Sequence, residues 1–404
     1  MAKFSFKKSL PAPEISENQW QDWTWQLRNS LKSQQDFQKY FVLSESEKAG
    51  FAAGKEIFNI RTTPYYASLA GSHEHDPLRR IFMPRQEELE LGNQQMLDPL
   101  GEKRNQATSR LIHRYSDRVL FLITDICSVY CRFCTRKHFT GADQAMIKTE
   151  EYNQSLEYIR ARPGIREVIL SGGDPLTLSD AHLDRVLFDL RQISHIEIIR
   201  IGSRIPVVAP QRITEDLSQL LRKYKPVFLM THFNHPREIT EEAAIAIETL
   251  VDHGNPVMNQ MVLLNGVNNH AAIVQALSRR LLFLRAKPYY MFQCDPSIGT
   301  DHLRNSIEDS LSIQKELWGH LSGLAMPNYA VDIPNGGGKT VLTPNFQLST
   351  DLENESQGVT RSYRGWDGIE ADYVSPDLEK IIKPLDYEDY LDEWNEIKTS
   401  RQER

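Results

Sequence analysis

The stretch that decides the fold is VLFLITDICSVYCRFC, residues 119–134. It begins with an uninterrupted apolar run, Val119 to Ile123, which is typical of a buried strand. Three cysteines follow directly, Cys127, Cys131 and Cys134, in the spacing C-x3-C-x2-C. A strand that runs into clustered cysteines predicts a site of chemistry at the carboxyl end of that strand.

From this stretch onward, short β-branched runs alternate with segments of helical length. We predict strands at Val119–Ile126, Glu167–Leu170, Glu197–Gly202, Val227–Thr231, Val257–Leu264 and Pro288–Phe292. We predict helices near Glu150–Arg162, Asp180–Gln192, Thr214–Tyr224, Glu241–Asp252 and Ala271–Leu282. Six strands with five helices between them favour an α/β fold with a parallel sheet and crossover helices, closed or partly closed as a barrel.

Polar motifs follow most of the predicted strands. They are Ser171-Gly-Gly-Asp174, Gly202-Ser-Arg204, Thr231-His-Phe-Asn234 and Gln293-Cys-Asp295, and Gln260 interrupts the fifth strand. The chemistry of such folds gathers at the carboxyl ends of the strands, so we expect these motifs to meet the cysteines at one site.

The residues before the predicted barrel have a helical pattern. Ser16 and Gln19 form a capping-box start, after which Trp20, Trp23, Leu27 and Leu31 recur at helical spacing. We interpret these tryptophans as packing residues. The polar stretch from residue 73 to about 109 is rich in Pro and Gly and predicts a connection with little core of its own.

After about residue 320, a strand at Tyr329–Ile333 leads into Asn335-Gly-Gly-Gly-Lys339-Thr340, and an acidic tail follows. We therefore expect three regions. Residues 1–110 form an N-terminal helical region and linker, 111–335 the barrel, and 336–404 a C-terminal segment that holds the lysine loop and the tail.

Composition narrows the class of protein. The chain has 404 residues, 40% of them hydrophobic and 25% charged, which is ordinary for a globular protein. No apolar run approaches the roughly 18 residues of a membrane span, and the start of the chain lacks an apolar signal core, so we expect a cytoplasmic protein. A net charge of −7 offers no general attraction for nucleic acid or an anionic membrane. Small molecules are the expected partners.

The cysteine spacing favours an iron–sulfur site. Four cysteines in so long a chain cannot form a disulfide framework. A cubane cluster normally takes four thiolates, and three would leave one iron open to an external ligand. Zinc would need a fourth ligand at finger spacing; His138 is available, but no second ligand pair follows it. Zinc and three structural thiols remain the alternatives.

The segment Cys127-Ser-Val-Tyr-Cys131-Arg-Phe-Cys134 resembles the radical S-adenosylmethionine (SAM) signature, and its setting resembles the lysine 2,3-aminomutase family. The resemblance spans roughly residues 15 to 350. It continues through His113-Arg-Tyr115, Asp117-Arg118, Ser171-Gly-Gly-Asp174, Ile201-Gly-Ser-Arg204, Thr231-His-Phe-Asn-His-Pro236, Pro288-Tyr-Tyr290, Gln293-Cys-Asp295 and Gly336-Gly-Gly-Lys339. It implies a partial (βα)6 TIM-like barrel with an N-terminal helical region and a C-terminal extension.

The resemblance also implies an activity. A [4Fe–4S] cluster held by Cys127, Cys131 and Cys134 would cleave SAM to a 5′-deoxyadenosyl radical, which removes a hydrogen from Cβ of the amino acid. Pyridoxal phosphate (PLP) would carry the nitrogen from Cα to Cβ, so that L-lysine becomes β-lysine. The enzyme would be an isomerase that draws its electron from a donor such as flavodoxin or ferredoxin.

Roles for individual residues follow from matching positions in the family. Lys339 matches the lysine that forms an imine with PLP, and Arg114 and Arg118 match positions near its phosphate. Arg136 matches the arginine for the substrate carboxylate, and Asp295 and Asp332 match the pair that receives the distal ammonium. Contacts to SAM are implied for Ser171, Gly172, Gly173, Asp174, His232 and Gln260.

Without the family resemblance, purely structural interpretations of these residues stay open. Lys339 fits an ordinary glycine turn with a solvated lysine, and a nucleotide P-loop is disfavoured because Ile333 stands where its first glycine would be. His232 and Gln260 fit a core histidine and a loop-anchoring glutamine equally well. Two arginines before a strand are usually surface charge, and aspartates after strands usually cap helices.

One departure from the family concerns zinc and assembly. The clostridial type carries extra cysteines that bind zinc across subunits, whereas here His270 stands at one such position and no cysteine follows Cys294. We therefore expect no structural zinc, and a homodimer or higher homo-oligomer. The alternative functions are an arginine 2,3-aminomutase, a radical enzyme that modifies a lysine on a protein, and a non-catalytic iron–sulfur protein for electron transfer or sensing.

Overall fold

The protein is described from a computed structural model that covers residues 4–12, 14–90, 92, 94–141, 146–351, 359–375 and 384–399. Parts of the predicted acidic tail lie outside these residues. In the described residues no helix is long and apolar enough to cross a membrane.

An open, mostly parallel sheet forms the centre of the molecule. Its strands are β1 (Gln106–Thr108), β2 (Leu111–Tyr115), β3 (Arg118–Thr124), β4 (Glu167–Gly172), β5 (Ile198–Gly202), β6 (Val227–Thr231), β7 (Val257–Leu263), β8 (Lys287–Gln293), β9 (Asn328–Ile333) and β10 (Gly338–Val341). Neighbours in the sheet follow chain order from β1 to β10. The strands β3 to β9 are parallel, and antiparallel strands flank them on both edges.

Helices alternate with the parallel strands of this sheet and also precede and follow it. They are α1 (Glu17–Gln21), α2 (Trp23–Arg28), α3 (Gln34–Gln38), α4 (Glu45–Ile57), α5 (Pro64–Ser68), α6 (Arg79–Phe82), α7 (Thr149–Arg160), α8 (Asp180–Arg191), α9 (Ile205–Val208), α10 (Glu215–Lys223), α11 (Glu241–Asp252), α12 (Ala271–Phe283), α13 (Ile307–Leu317) and α14 (Leu391–Thr399). The predicted α/β partial barrel is confirmed. The sheet extends past residues 110 and 335, where we expected region boundaries, because β1 joins one edge and β10 the other.

Side chains of the strands divide between two environments. In β7, Val257, Asn259, Met261 and Leu263 are buried, whereas the residues that alternate with them are half-buried. Successive residues of a strand point to opposite faces of the sheet. One face therefore packs against the helices, and the other faces a cavity inside the barrel, where Gln260 lies.

The N-terminal region contains the capping box predicted at Ser16 and Gln19. The spacing of the tryptophans predicts a single helix, and this prediction is wrong. The helix is interrupted at Asp22, which ends α1 and caps α2 by accepting a hydrogen bond from Thr24 N. Trp20 is completely buried and its indole nitrogen donates to Ser9 Oγ at 2.9 Å, as expected of a packing residue.

The described residues of 73–109 form no separate core but contribute buried residues to the core of the preceding helices. The α6 helix lies in this segment, and Ile81, Phe82 and Met83 are completely buried. The ring of Phe82 packs against those of Phe37 and Tyr66. The apolar residues Ile81, Phe82 and Met83 therefore pack this otherwise polar segment against the helices that precede it.

A small antiparallel sheet follows the barrel, formed by β11 (Gln347–Asp351), β12 (Thr360–Arg364) and β13 (Glu370–Val374). Trp366, Tyr373 and Trp394, the last in α14, are more than half exposed. An ion pair of 2.6 Å between Arg166 and Glu396 links α14 to the barrel.

Candidate active site

All residues predicted to form the site line one cavity of about 680 Å³ inside the barrel, which extends from the amino ends of β3 and β4, at Arg118 and Glu167, to the cysteine loop after β3. They are Arg114, Arg118, Cys127, Cys131, Cys134, Arg136, Ser171, Gly172, Gly173, Asp174, His232, Gln260, Asp295, Asp332 and Lys339. The volume is in the range usual for small-molecule and cofactor sites. Motifs that are separated by more than 200 residues in sequence thus meet at one place.

The start of the cysteine loop is held by the turn after β4. The amides of Gly173 and Asp174 donate to the carbonyls of Thr124 and Ile126, both at 2.7 Å. A Cβ on Gly172 would lie 1.9 Å from Thr124 O, and Gly172 has a φ of +125°. These glycines therefore allow β4 to approach the end of β3, and the two amides are not free to bind a ligand.

The N-terminal region holds the same loop from the other side. Arg61 donates from Nη1 to Cys127 O at 3.0 Å, and its carbonyl accepts from Tyr130 N at 3.0 Å. The buried side chain of Arg132 pairs with Glu88 and also donates to Asn59 O. The N-terminal helical region and linker therefore shape the cysteine loop.

The three thiols fit an iron–sulfur cluster. Burial and the neighbouring Cys134 raise the pKa of Cys127 well above its usual value, and burial raises the pKa of Cys131 and Cys134 as well. Partly buried thiolates that repel one another require a strongly cationic partner. Thiolates of a cluster bind different irons and need not converge on one point. In keeping with this, no group of three or more His, Cys, Asp or Glu side chains in the described residues is arranged for a single metal ion.

Asp174 organises the loop after β5 instead of pointing freely into the cavity. Its carboxylate accepts from Ser203 Oγ at 2.6 Å and from the amides of Arg204 at 2.7 Å and Leu176 at 3.1 Å. Burial raises the pKa of Asp174 despite these hydrogen bonds. The neighbouring Ser171 Oγ accepts from Arg136 Nη1 at 3.0 Å.

Lys339 lies in strand β10 and not in a mobile loop. The turn between β9 and β10 contains Asn335 with φ +60° and Gly336 with φ +86°, which reverses the chain so that Lys339 pairs with Asp332 across the hairpin. Its backbone amide donates to Tyr115 Oη at 2.8 Å, and Nζ lies 3.3 Å from Asp332 Oδ2. A strand thus fixes the backbone while the side chain reaches the cavity.

The carboxylates of Asp332 and Asp295 both line the cavity, but they differ in the cations that lie near them. Asp332 accepts from Arg114 Nη1 at 2.9 Å, and Arg114 Nη2 donates to Leu100 O at 2.6 Å. Burial raises the pKa of Asp295 to about 7, and the negative charge of Asp332 adds to the shift. Arg114 therefore compensates Asp332, whereas Asp295 has no comparably close cation in the described contacts.

Arg136 is oriented by a residue from the N-terminal linker. Glu102, which is 5% exposed, accepts from Arg136 Nε at 2.8 Å, and Ser171 receives another nitrogen of the same guanidinium. Burial by itself would lower the pKa of Arg136, but Glu102 raises it above its usual value. The guanidinium is thereby held charged and in one orientation at the cavity wall.

Two further arginines, Arg118 and Arg200, line the cavity. The guanidinium of Arg118 stacks 4.0 Å from the ring centre of Tyr115 and pairs with Asp117 at 2.6 Å. Arg200, which pairs with Glu167, also lines the cavity. Burial raises the pKa of Tyr290 to about 12, while the charges of Arg118 and Arg200 oppose that shift.

His232 and Gln260 also face the cavity. Burial, together with the charge of Arg204, lowers the pKa of His232 to about 3, so the ring is neutral at physiological pH. Its Nε2 has no hydrogen-bond partner among the described residues. A neutral imidazole with an open nitrogen and a half-buried amide suit the polar edge of a nucleoside.

Several residues of the site were not singled out in the sequence. Glu102 and Leu100 come from the linker, and Tyr115 and Arg200 come from strands. Tyr115 is part of the His113-Arg-Tyr115 motif and could have been included on that basis. Glu102 had no local signal, because its partner Arg136 is 34 residues away.

Comparisons with known proteins show two family matches and several similar enzymes. Residues 121–275 match the Radical SAM superfamily, and residues 314–403 match the Lysine-2,3-aminomutase family. The L-lysine 2,3-aminomutase of Fusobacterium nucleatum is 43% identical over 90% of this chain and 85% of that protein. The L-lysine 2,3-aminomutase of Clostridium subterminale is 43% identical over 87% of this chain and 84% of that protein.

A related specificity also occurs among these proteins. The glutamate 2,3-aminomutase of Clostridioides difficile is 37% identical over 93% of this chain and 89% of that protein. The superfamily match implies a [4Fe–4S] cluster and SAM as cofactors. The extent and identity of these matches show that the chain belongs to the lysine 2,3-aminomutase family of radical SAM isomerases.

Proposed function

We propose that this protein interconverts L-lysine and β-lysine by moving the α-amino group between Cα and Cβ. The names of its relatives support this substrate, but those relatives include an enzyme for glutamate. The observation that carries the proposal is the presence of Asp295, Asp332 and Lys339 in the same cavity as the three cysteines. Two carboxylates favour a cationic side chain and repel that of glutamate.

The cofactors would supply an electron, a hydrogen-abstracting radical and a carrier for the migrating nitrogen. In this proposal Cys127, Cys131 and Cys134 hold the [4Fe–4S] cluster, and Lys339 binds PLP. The apolar wall of the cavity, which includes Ile112, Val119 and Phe228 among others, excludes water from the reacting atoms.

The substrate would be held by charge at both ends. Arg136 receives the carboxylate, with Glu102 and Ser171 fixing the orientation of its guanidinium. Asp295 and Asp332 receive the distal ammonium. Because Arg114 already compensates Asp332, Asp295 supplies most of the uncompensated negative charge.

The phosphate of PLP would lie near Arg118. The contacts of Arg114 with Asp332 and Leu100 give it a role in holding that carboxylate, so we assign the phosphate mainly to Arg118, with Arg200 beside it. Guanidinium groups suit phosphate because they are planar and remain charged.

SAM would lie between the cysteines and the strand ends β4 to β7. Ser171, Gly172, Gly173 and Asp174 shape that wall, and His232 and Gln260 offer polar atoms for the adenosyl group. The amides of Gly173 and Asp174 donate within the protein, so contacts from this turn would come from other atoms.

The remaining expectations also become proposals. We propose a cytoplasmic enzyme that receives electrons from flavodoxin or ferredoxin, binds neither nucleic acid nor membrane, and lacks structural zinc, since no cysteine follows Cys294. The exposed Trp366, Tyr373 and Trp394 support a homodimer or higher homo-oligomer. We keep 1–110, 111–335 and 336–404 as the proposed regions of the chain.

One experiment tests the proposed reaction. The anaerobically reconstituted enzyme is given lysine, arginine or glutamate with SAM, PLP and a reductant, and the products are separated by chromatography. We expect β-lysine as the main product. Faster turnover of arginine would support the arginine alternative, and faster turnover of glutamate would refute the role of the two carboxylates.

A further inference from the structure

The side chain of Arg204 connects a cluster cysteine to a buried carboxylate. Arg204 precedes α9 and is 8% exposed. Its Nη1 lies 2.7 Å from Cys131 Sγ, and its Nη2 donates to Glu238 Oε1 at 2.7 Å and to Tyr66 Oη at 2.9 Å. The guanidinium therefore directs one donor at a sulfur and another at an anion.

The surroundings hold this arrangement in place. Glu238 is completely buried, and its other oxygen accepts from the amides of Asn234 at 2.5 Å and His235 at 2.9 Å. The amide of Arg204 donates to Asp174, and its Nε donates to His232 O at 3.3 Å. With contacts on every nitrogen, Arg204 has little freedom to move away from Cys131.

Cys131 and Cys134 differ in the donors that reach their sulfur atoms. Cys134 Sγ accepts from the backbone amide of Arg136 at 3.3 Å, which is a neutral donor. Cys131 receives a charged donor at a shorter distance. Hydrogen bonds in which one partner is charged are roughly twice as strong as neutral ones, so Arg204 is the stronger of these two influences on the thiolates.

We propose that Arg204 is a positioning residue that acts through Cys131 and makes the cluster easier to reduce, while Glu238 limits this effect by compensating its charge. Reduction adds negative charge to a cluster and its thiolates, and a positive N–H donor stabilises the reduced form more than the oxidised form. The inference rests on the cluster assigned under the proposed function.

The test is a potentiometric titration of the anaerobically reconstituted enzyme, followed by EPR in the absence of SAM. Arg204→Gln should shift the midpoint potential to more negative values, by a tenfold or greater loss in the equilibrium constant for one-electron reduction, or about 59 mV. Glu238→Gln should shift the potential in the opposite direction, because the charge of Arg204 is then uncompensated.

A second buried pair provides the matched control. Arg79 and Glu47 are both completely buried and paired at 2.6 Å, and neither lines the cavity. Arg79→Gln therefore removes a buried arginine charge without touching a cysteine. Its potential should equal that of the wild type.

The outcomes separate this inference from the proposed function. A wild-type protein that binds no iron and sulfide would refute the cluster itself. A normal cluster with an unchanged potential in Arg204→Gln, or an equal shift in Arg79→Gln, would overturn only the role of Arg204. The same holds if Arg204→Gln weakens SAM binding at an unchanged potential. If Arg204→Gln does not retain four irons, the Glu238→Gln variant tests the inference instead. A more positive midpoint potential in Glu238→Gln would support the role of Arg204, and an unchanged or more negative one would overturn it.

Discussion

Lys339 pairs with Asp332 across the β9–β10 hairpin, and its Nζ lies 3.3 Å from Asp332 Oδ2. The amine proposed to bind PLP is thus an ion-pair partner of a carboxylate proposed to bind the substrate. We infer that the distal ammonium of lysine takes the place beside Asp332 that the Lys339 ammonium holds in this structure. Arg114 keeps Asp332 in position during that exchange.

Lys339 should be the single lysine that carries PLP. Borohydride treatment of the reconstituted enzyme should fix the cofactor on one residue, and peptide mapping should identify Lys339. Lys339→Ala should lose the label and the turnover, because no other nucleophilic amine of the described residues lines the cavity. Lys223→Ala removes an exposed lysine that does not line the cavity and should behave like the wild type. Label on any other lysine contradicts the assignment.

The cysteines should be required for iron binding. Anaerobically purified protein should hold about four irons per chain, and SAM should perturb the EPR spectrum of the reduced cluster. Cys131→Ala should lose the cluster and the activity, since the loop would then offer only two thiolates. Cys294→Ala is the matched control, because Cys294 is buried but does not line the cavity. An active Cys131→Ala enzyme would refute the site.

Asp295→Asn and Asp332→Asn should each lower kcat/KM for lysine severely. Loss of one charged partner of a partly desolvated ammonium costs on the order of 2–5 kcal/mol, or roughly 30-fold to several-thousand-fold. Asp332→Asn should show the larger loss, because Arg114 also loses its partner. Binding of SAM should stay near normal.

The exposed Asp252, which pairs with Arg285, provides the control for these variants. Asp252→Asn should retain wild-type kinetics. Full activity on lysine in both site variants would remove the basis for the proposed specificity.

Activity on lysine should depend on the ionisation of Asp295. Burial raises the pKa of Asp295 to about 7 before substrate binds, so the carboxyl is largely neutral below that pH. A neutral carboxyl attracts an ammonium weakly, and therefore kcat/KM for lysine should rise with pH between about 6 and 8. The rise should be absent in Asp295→Asn. A profile that is the same in both enzymes would assign the titration to another group.

Glu102 should affect turnover more than apparent affinity. Glu102→Gln leaves Arg136 charged but weakens the contact that orients its guanidinium. We expect kcat to fall about tenfold, because Arg136 no longer holds the substrate in one orientation. The change in KM should be smaller, because the charge of Arg136, no longer compensated by Glu102, attracts the substrate carboxylate more strongly. Glu90→Gln changes an exposed glutamate of the same linker and should have no effect. A change confined to KM would show that Glu102 does not act through orientation.

The periodicity of the sequence predicted the barrel closely. The predicted helix Glu241–Asp252 and strand Val227–Thr231 have the bounds found in the structure, and the other barrel elements differ by one or two residues at their ends. Amphipathic patterns and turn residues act over a few positions, so they are readable without the fold. The strand predicted to reach Ile126 ends at Thr124 because the carbonyls of Thr124 and Ile126 bind the glycine turn after β4.

The sequence by itself determined the βα order, the cysteine loop and the charged and polar residues that we predicted for the site, all of which line the cavity. Only the tertiary structure decided how those residues are paired: Arg114 with Asp332, 218 residues away, and Arg204 with Cys131, 73 residues away. It also showed that the N-terminal region supplies Glu102 to the site. Such pairs arise where packing brings distant segments together, and the charge of a residue does not say which opposite charge it will meet.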